Sequence, residues 1–202
     1  EYVPEEKPNE DWVTRFFSSA QAISSEEMQT LWGRILAGEI RRPGTYSLRT
    51  LELVRNLTSS EAKLVARVGN FAIFSNNFAF IDAESESWLN RHRKVTQNDY
   101  VQLSELNLIY PSRLNLNITF QDNSEEHVQH FVLGDQILGV QRGEISDRIT
   151  FSVWKFTTIG IEILSLIPRD KDSEYLEYFG RRFAQKRGNV FLANITSKQS
   201  DG

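Results

Sequence analysis

Cysteine is missing from all 202 residues. That excludes disulfides, thiolate metal sites and a cysteine nucleophile, and it fits a reducing compartment. A positive excess is missing too. The chain has 23 Lys and Arg against 27 Asp and Glu, a formal net charge of −4. Such a balance gives no long-range pull toward nucleic acid or anionic lipid, so any nucleic-acid contact needs a local basic patch. No apolar run approaches the roughly 20 residues that cross a bilayer. The opening EYVPEEKPNED is acidic and polar, the opposite of a secretory signal. These features predict a cytoplasmic protein without membrane contact. The chain begins with Glu1 rather than methionine, which predicts a preceding segment. The motifs Gly-x-Ser-x-Gly, Gly-x-x-x-x-Gly-Lys-Ser/Thr, Gly-x-Gly-x-x-Gly and His-Glu-x-x-His do not occur, so no catalytic residue and no cofactor is assigned.

What is present is a large supply of core material. Thirteen Phe and four Trp in a chain that is 40% apolar are enough for a proper hydrophobic core. Residues 1–9 carry two prolines and several charges and read as a disordered lead-in. A first helix is expected over about 10–22, with Trp12, Val13, Phe16, Phe17 and Ala20 at helical spacing. Ser24 and Glu27 have the spacing of a capping box. The second helix they open places Met28, Leu31, Trp32, Ile35, Leu36 and Ile40 on one face, and Pro43-Gly44 stops it. Ser47 starts a third helix, with Leu48, Leu51 and Val54 inward. Thr58 and Glu61 start a fourth, with Val65, Val68, Phe71 and Ala72 inward. FAFI at 78–81 reads as a short strand, and Glu84, Glu86 and RHRK at 91–94 as a charged loop.

The second half changes character. Thr96 and Asp99 cap a helix over about 97–109, closed by Pro111. LNLNITF at 114–120, HFVLGDQILGVQ at 130–141 and RITFSVWKF at 148–156 read as strands. Thr157 caps a helix stopped by Pro168. Asp172 or Ser173 caps another, with Tyr175, Leu176, Phe179 and Phe183 inward, and NVFLANI at 189–195 is β-rich. The predicted class is α+β, with a helical region over 10–94 and a winged-helix-like region over 95–202 that packs separately or as one body with it.

The run LWGRILAGE at 31–39, followed by RPGTYSLRTL at 42–51, resembles a bacterial family known as domain of unknown function 2806. TTIGIEIL at 157–164 and the tyrosine-containing helix after it are similar to the same family. That resemblance implies no activity and no functional residues. The tryptophan helix is also similar to abortive-infection alpha proteins, which implies a setting in phage defence or stress.

Gly33 and Gly38 interrupt a helical pattern, where each costs about 1 kcal/mol against alanine. Gly33 is expected to admit a crossing helix or the Trp32 indole, and Gly38 a close neighbouring backbone. Glu39 lies beside the apolar stripe, and a carboxylate there needs a partner. Arg42 and Arg49 are the candidates. The turn after the second helix is the preferred partner-binding surface, with Glu39, Arg41, Arg42, Tyr46 and Arg49.

The runner-up is a winged-helix DNA-binding regulator. There a helix enters the major groove and a hairpin touches the backbone. Asn98, Gln102, Ser104 and Asn107 are of types that contact bases. The cations Arg91, Arg93, Lys94, Arg113, Arg181, Arg182, Lys186 and Arg187 are the nucleic-acid candidates. A third reading, a metal-dependent hydrolase, rests on His127 and His130, whose spacing shares a face only on a helix. The β segments at 131–141 and 189–195 predict self-association, so a protein partner or a second copy is expected and nucleic acid stays open.

Overall fold

The structure, a computed structural model, describes residues 6–21, 23, 25–76, 78–119, 128–141, 148–185 and 189–194. Four helices come first: α1 (Glu10–Ala20), α2 (Glu26–Arg41), α3 (Leu48–Asn56) and α4 (Ser59–Gly69). Each starts where a short polar side chain can satisfy free backbone N–H groups. Asn9 accepts from the Asp11 and Trp12 N–H, Ser47 from Thr50, and Thr58 exchanges both bonds of a capping box with Glu61. At α2 the cap is Ser25, which accepts from the Met28 N–H, and the expected cap Ser24 lies outside the described residues. The indole of Trp12 stacks on Phe16, which meets Trp32, so α1 and α2 share an aromatic contact.

Strands β1 (Ile73–Ser75) and β2 (Phe78–Asp82) follow, then a short 3-10 turn (Ala83–Ser85), α5 (Glu86–Arg93) and α6 (Gln97–Glu105). The remaining elements are β3 (Leu114–Thr119), β4 (Val128–Leu133), β5 (Gln136–Gln141), β6 (Arg148–Lys155), α7 (Thr158–Leu166), α8 (Ser173–Gln185) and β7 (Asn189–Asn194). All seven strands join one sheet in the order β3-β6-β2-β1-β4-β5-β7, and every pair is antiparallel. Segregated helices on an antiparallel sheet make the protein α+β. Strands from both sides of residue 95 share this sheet, with β1 and β2 at its centre. The region expected to be helical over 10–94 therefore also supplies two strands. The C-terminal β segment pairs with β5 of its own chain.

One face of the sheet is covered by α8. Phe179 packs edge-on or tilted against Phe80 of β2, Phe131 of β4 and Phe151 of β6, and Phe183 against Phe131 and Phe151, with ring centroids 5.2–6.1 Å apart. Rings in such geometry add roughly 0.5–1.5 kcal/mol per pair to the burial itself. Helices α2 and α3 pack against α7, while α4 leads into β1 and meets α6. Thr157 caps α7 by accepting from the Gly160 N–H, and its hydroxyl donates to the Asn107 carbonyl at 2.7 Å. Gly160 lies so close to the Leu108 carbonyl that a Cβ would stand 2.1 Å from its oxygen. On its other side α7 meets α2 and α3: Arg34 donates to the Leu166 carbonyl, and the Ser47 N–H to Glu162.

Several local expectations change. The charged stretch 86–93 is a helix, not a loop. Leu89 is fully buried, Arg91, His92 and Arg93 fall in the last turn where the dipole favours cations, and Lys94 closes the helix at φ 58°. The helix after Thr96 stops at Glu105, because Leu106 and Asn107 (φ 57°) turn the chain. Ile109 is buried instead by bridging to Phe156. On α2, Ile40 faces solvent at 52% exposure and Glu39 takes the inward position at 1%. Phe17 of α1 is likewise exposed.

The two helix-interior glycines separate cleanly. A Cβ on Gly38 would stand 2.6 Å from the Tyr46 ring, whereas Gly33 has nothing within 4 Å. Gly38→Ala is expected to lower stability by about 1–3 kcal/mol through overpacking. Gly33→Ala is expected to raise it by about 1 kcal/mol through helix propensity. Denaturant titration of the two variants checks both signs. A stabilised Gly38→Ala would contradict the packing described.

Candidate functional site

The turn between α2 and α3 is built around two buried side chains. Arg42 leaves the helix in an extended conformation, and Gly44 sits at φ 81°, a left-handed geometry that favours glycine. This bends the chain back so that its N–H groups point at Glu39. The Glu39 carboxylate accepts from Gly44 N at 2.6 Å and from Tyr46 N at 3.0 Å. Its partners are therefore backbone groups, not Arg42 or Arg49. Tyr46 is 6% exposed. Its ring lies against Gly38, its hydroxyl is 3.3 Å from Ser165 Oγ, and its carbonyl accepts from the Trp12 indole N–H at 2.7 Å. One residue on, Glu162 of α7 accepts from both the N–H and the hydroxyl of Ser47. Two carboxylates thus hold this turn by accepting N–H bonds, and charged acceptors make such bonds strong.

The five candidate partner-binding residues divide accordingly. Glu39 and Tyr46 lie inside and hold the turn. Arg41, Arg42 and Arg49 lie outside and are exposed, with no carboxylate in ion-pair reach among the described residues. Arg15 of α1 has the same character and escaped the sequence reading, because it is one of several polar residues on the outer face of an amphipathic helix. Pattern alone does not distinguish a paired cation from an unpaired one.

The nucleic-acid candidates fare differently. Arg93 binds Asp172 at 2.6 Å and Glu174 at 2.7 Å while covering the Trp88 ring. Arg113 binds Glu86 at 2.6 Å over the Trp154 ring. Arg182 binds Asp82 and Glu84, and Arg181 binds Glu177. Arg91 and Lys94 are exposed, and Lys186 and Arg187 lie outside the described residues. On α6, Asn98 and Gln102 face solvent, but Asp99 beside them is held by Arg67 and by the Thr96 cap. Asn107 is exposed at the turn after α6, and Ser104 is half-buried. His130 lies exposed on β4, where it pairs with Gly139, and His127 lies outside the described residues. No cluster of three metal-ligating side chains occurs among the described residues.

These paired carboxylates have shifted acidities. Burial pushes Asp172 up, but the Arg93 guanidinium and the Tyr175 N–H outweigh it and hold the carboxyl below the usual aspartate range. Asp99 behaves likewise, with burial opposed and outweighed by Arg67 and by the Thr96 N–H. The Tyr100 phenol is pushed well above its ordinary value by burial and by the negative charges of Glu86, Asp99 and Asp82.

The sequence model of one protein family, described as a protein of unknown function (DUF2806), matches residues 1–180. The chain belongs to the DUF2806 family. No curated protein and no solved structure matches it. The words by which the family resemblance is read lie where this DUF2806 chain is most constrained. Trp32 and Gly38 sit at buried contacts, Glu39, Gly44, Tyr46 and Ser47 form the braced turn, and Thr157 and Gly160 seat α7. No described helix is long and apolar enough to cross a membrane.

Two outcomes follow from this geometry. Glu39→Ala leaves two N–H groups without their acceptor and is expected to cost about 2–3 kcal/mol, whereas Arg41→Ala stays within about 0.5 kcal/mol. Chemical denaturation of both variants checks this. For Asp172, a folded-state pKa below the unfolded value means stability is present above that value and is lost as pH falls through the range below about 4. Arg93→Met is expected to lower the melting temperature at neutral pH, with the gap to wild type closing in acid. Melting curves from neutral pH down to about 2.5 test this, and a gap independent of pH would count against the ion pair.

Proposed function

We propose that this DUF2806 chain is a cytoplasmic, non-catalytic interaction protein that docks an acidic protein partner at the α2–α3 turn through Arg41, Arg42 and Arg49. The supporting observation is a contrast in how arginines are used. Around α5, α6 and α8 the guanidinium groups of Arg67, Arg93, Arg113 and Arg182 are neutralised by carboxylates of the same chain, while Arg91 of α5 stays exposed. At the turn three guanidinium groups stand in solvent on a frame fixed from beneath by Glu39, Tyr46 and Glu162. A preorganised frame with free cations favours carboxylate recognition, because little order has to be imposed on binding. The same frame supports the non-catalytic reading. Glu39 and Glu162 are engaged with backbone N–H groups, which is a structural use of both carboxylates. A phage-defence or stress setting rests on the likeness of the tryptophan helix to abortive-infection alpha proteins.

A second reading, a winged-helix nucleic-acid binder, is favoured by chain order. Helix α4, strand β2, helices α5 and α6, then β3 and β6 resemble a winged-helix order once β1 before β2 and the β4–β5 pair between β3 and β6 are set aside, and β2, β6 and β3 are adjacent and antiparallel. Charge weighs against it, since counterion release needs unpaired cations and the arginines flanking α6 are already paired.

The double variant Arg41→Glu/Arg42→Glu separates the two. With its melting temperature unchanged, it is expected to lose at least tenfold in affinity for the partner captured from host extract, while Arg91→Ala/Lys94→Ala has no effect. Salt-sensitive binding of duplex DNA that survives the first variant and fails in the second would instead establish the nucleic-acid reading.

A further inference from the structure

Beside the turn, a groove of about 470 Å³ runs between α1, α3, the end of α6 and the start of α7. Its floor holds Leu48 and Leu53 of α3, Leu106 after α6, and Ile159 of α7, and all four aliphatic side chains are half-buried. Its rim carries Arg15 of α1 and Arg49 of α3. Both are exposed, with no carboxylate in ion-pair reach among the described residues. The one carboxylate lining the groove, Glu52, is engaged with Arg55 at 3.1 Å. An open apolar trough edged by uncompensated positive charge complements a segment with the reverse pattern, aliphatic in the middle and acidic at the sides.

The walls also constrain the conformation of that segment. The groove is lined by helix side chains and a helix-ending turn, not by a strand edge, so it offers no ladder of backbone donors and acceptors. A bound segment must satisfy its own backbone hydrogen bonds, and a helix does so. We infer that the groove receives an amphipathic acidic helix of the protein partner, with aliphatic residues at i, i+3 or i+4 and i+7 seated on Leu48, Leu53, Leu106 and Ile159 and with Asp or Glu beside them on Arg15 and Arg49. This rests on the proposed protein-binding role and names the chemistry of its partner. Arg49 belongs to both the turn and the groove, so the two form one continuous surface. The aliphatic contacts supply affinity, while the arginines set orientation and on-rate.

The probe is a displayed library of amphipathic helical peptides with equal numbers of acidic-flanked and basic-flanked members, selected on the full chain. Enrichment of acidic-flanked clones is expected. The purified winning peptide should bind at least tenfold more weakly to Leu53→Ser and to Arg15→Glu/Arg49→Glu, and more weakly as salt rises. Circular dichroism melts confirm that both variants fold, and the exposed arginine pair keeps the test valid if Leu53→Ser does not. Enrichment of basic-flanked clones, no enrichment, or binding unaffected by both variants overturns the inference. So does a concentration-dependent dimer that Arg15→Glu/Arg49→Glu abolishes, since the occupant is then a second copy. Partner capture that depends on Arg41 and Arg42 but not on Leu53 or Arg15 overturns the groove and leaves the turn standing.

Discussion

The placement of α2 and α3 depends on the seat of α7. Gly160 lets that helix lie directly on the Leu108 carbonyl, and Thr157 ties its first turn to the strand-leading loop. The far end of α7 then presents Glu162, Ser165 and the Leu166 carbonyl to the turn and to α2. Without that close approach α2 and α3 would meet no fixed wall. The bonds they make across more than a hundred residues of sequence would have no defined geometry. A backbone contact of this kind is stiff, because no rotamer change can relieve it.

From this seat the polar groups fall into two populations. Carboxylates at the turn accept from backbone N–H groups, which releases the neighbouring arginines from any structural duty. Around the sheet the opposite holds. Asp82, Glu86, Asp99 and Asp172 are matched with arginines, two of which, Arg93 and Arg113, lie over tryptophan rings. The more exposed of these pairs contribute little net stability each, and together they tie α4 to α6, α5 to the start of α8, and α8 to the end of β2. Four arginines unmatched among the described residues, Arg15 of α1, Arg41 and Arg42 at the end of α2 and Arg49 of α3, lie near the apolar groove that Arg15 and Arg49 line. A net charge of −4 does not reveal them.

Local signals were legible where the physics is local. A hydroxyl three residues before a free N–H predicts a helix start, and Ser47, Thr58 and Thr157 each accept such a bond, while at Thr96 the Asp99 carboxylate accepts from the Thr96 N–H and hydroxyl. Inward phenylalanines at helical spacing predicted the buried face of α8. Pattern failed where a polar group replaced an apolar one inside. At the end of α2 the apolar stripe pointed to Ile40, yet Glu39 turned inward because the returning chain offered it two donors. In α5 the run of charges masked a helix held by Leu89 and the Trp88 stack. At Ile109 a hydrophobic residue in helical register was buried by a β bridge instead.

The sequence by itself determined the α+β class, most helix starts, the stop at Pro43-Gly44 and the identity of most core residues. All of these follow from side-chain type and spacing within a few residues. Only the tertiary structure decided which arginines are neutralised and which stand free, which strands sit at the centre of the sheet, and that Leu48, Leu106 and Ile159 meet in one groove. The physical reason is distance along the chain. An ion pair, a strand register or a shared groove depends on residues many tens of positions apart, and their separation in space is set by the packing of the whole core rather than by any neighbouring residue.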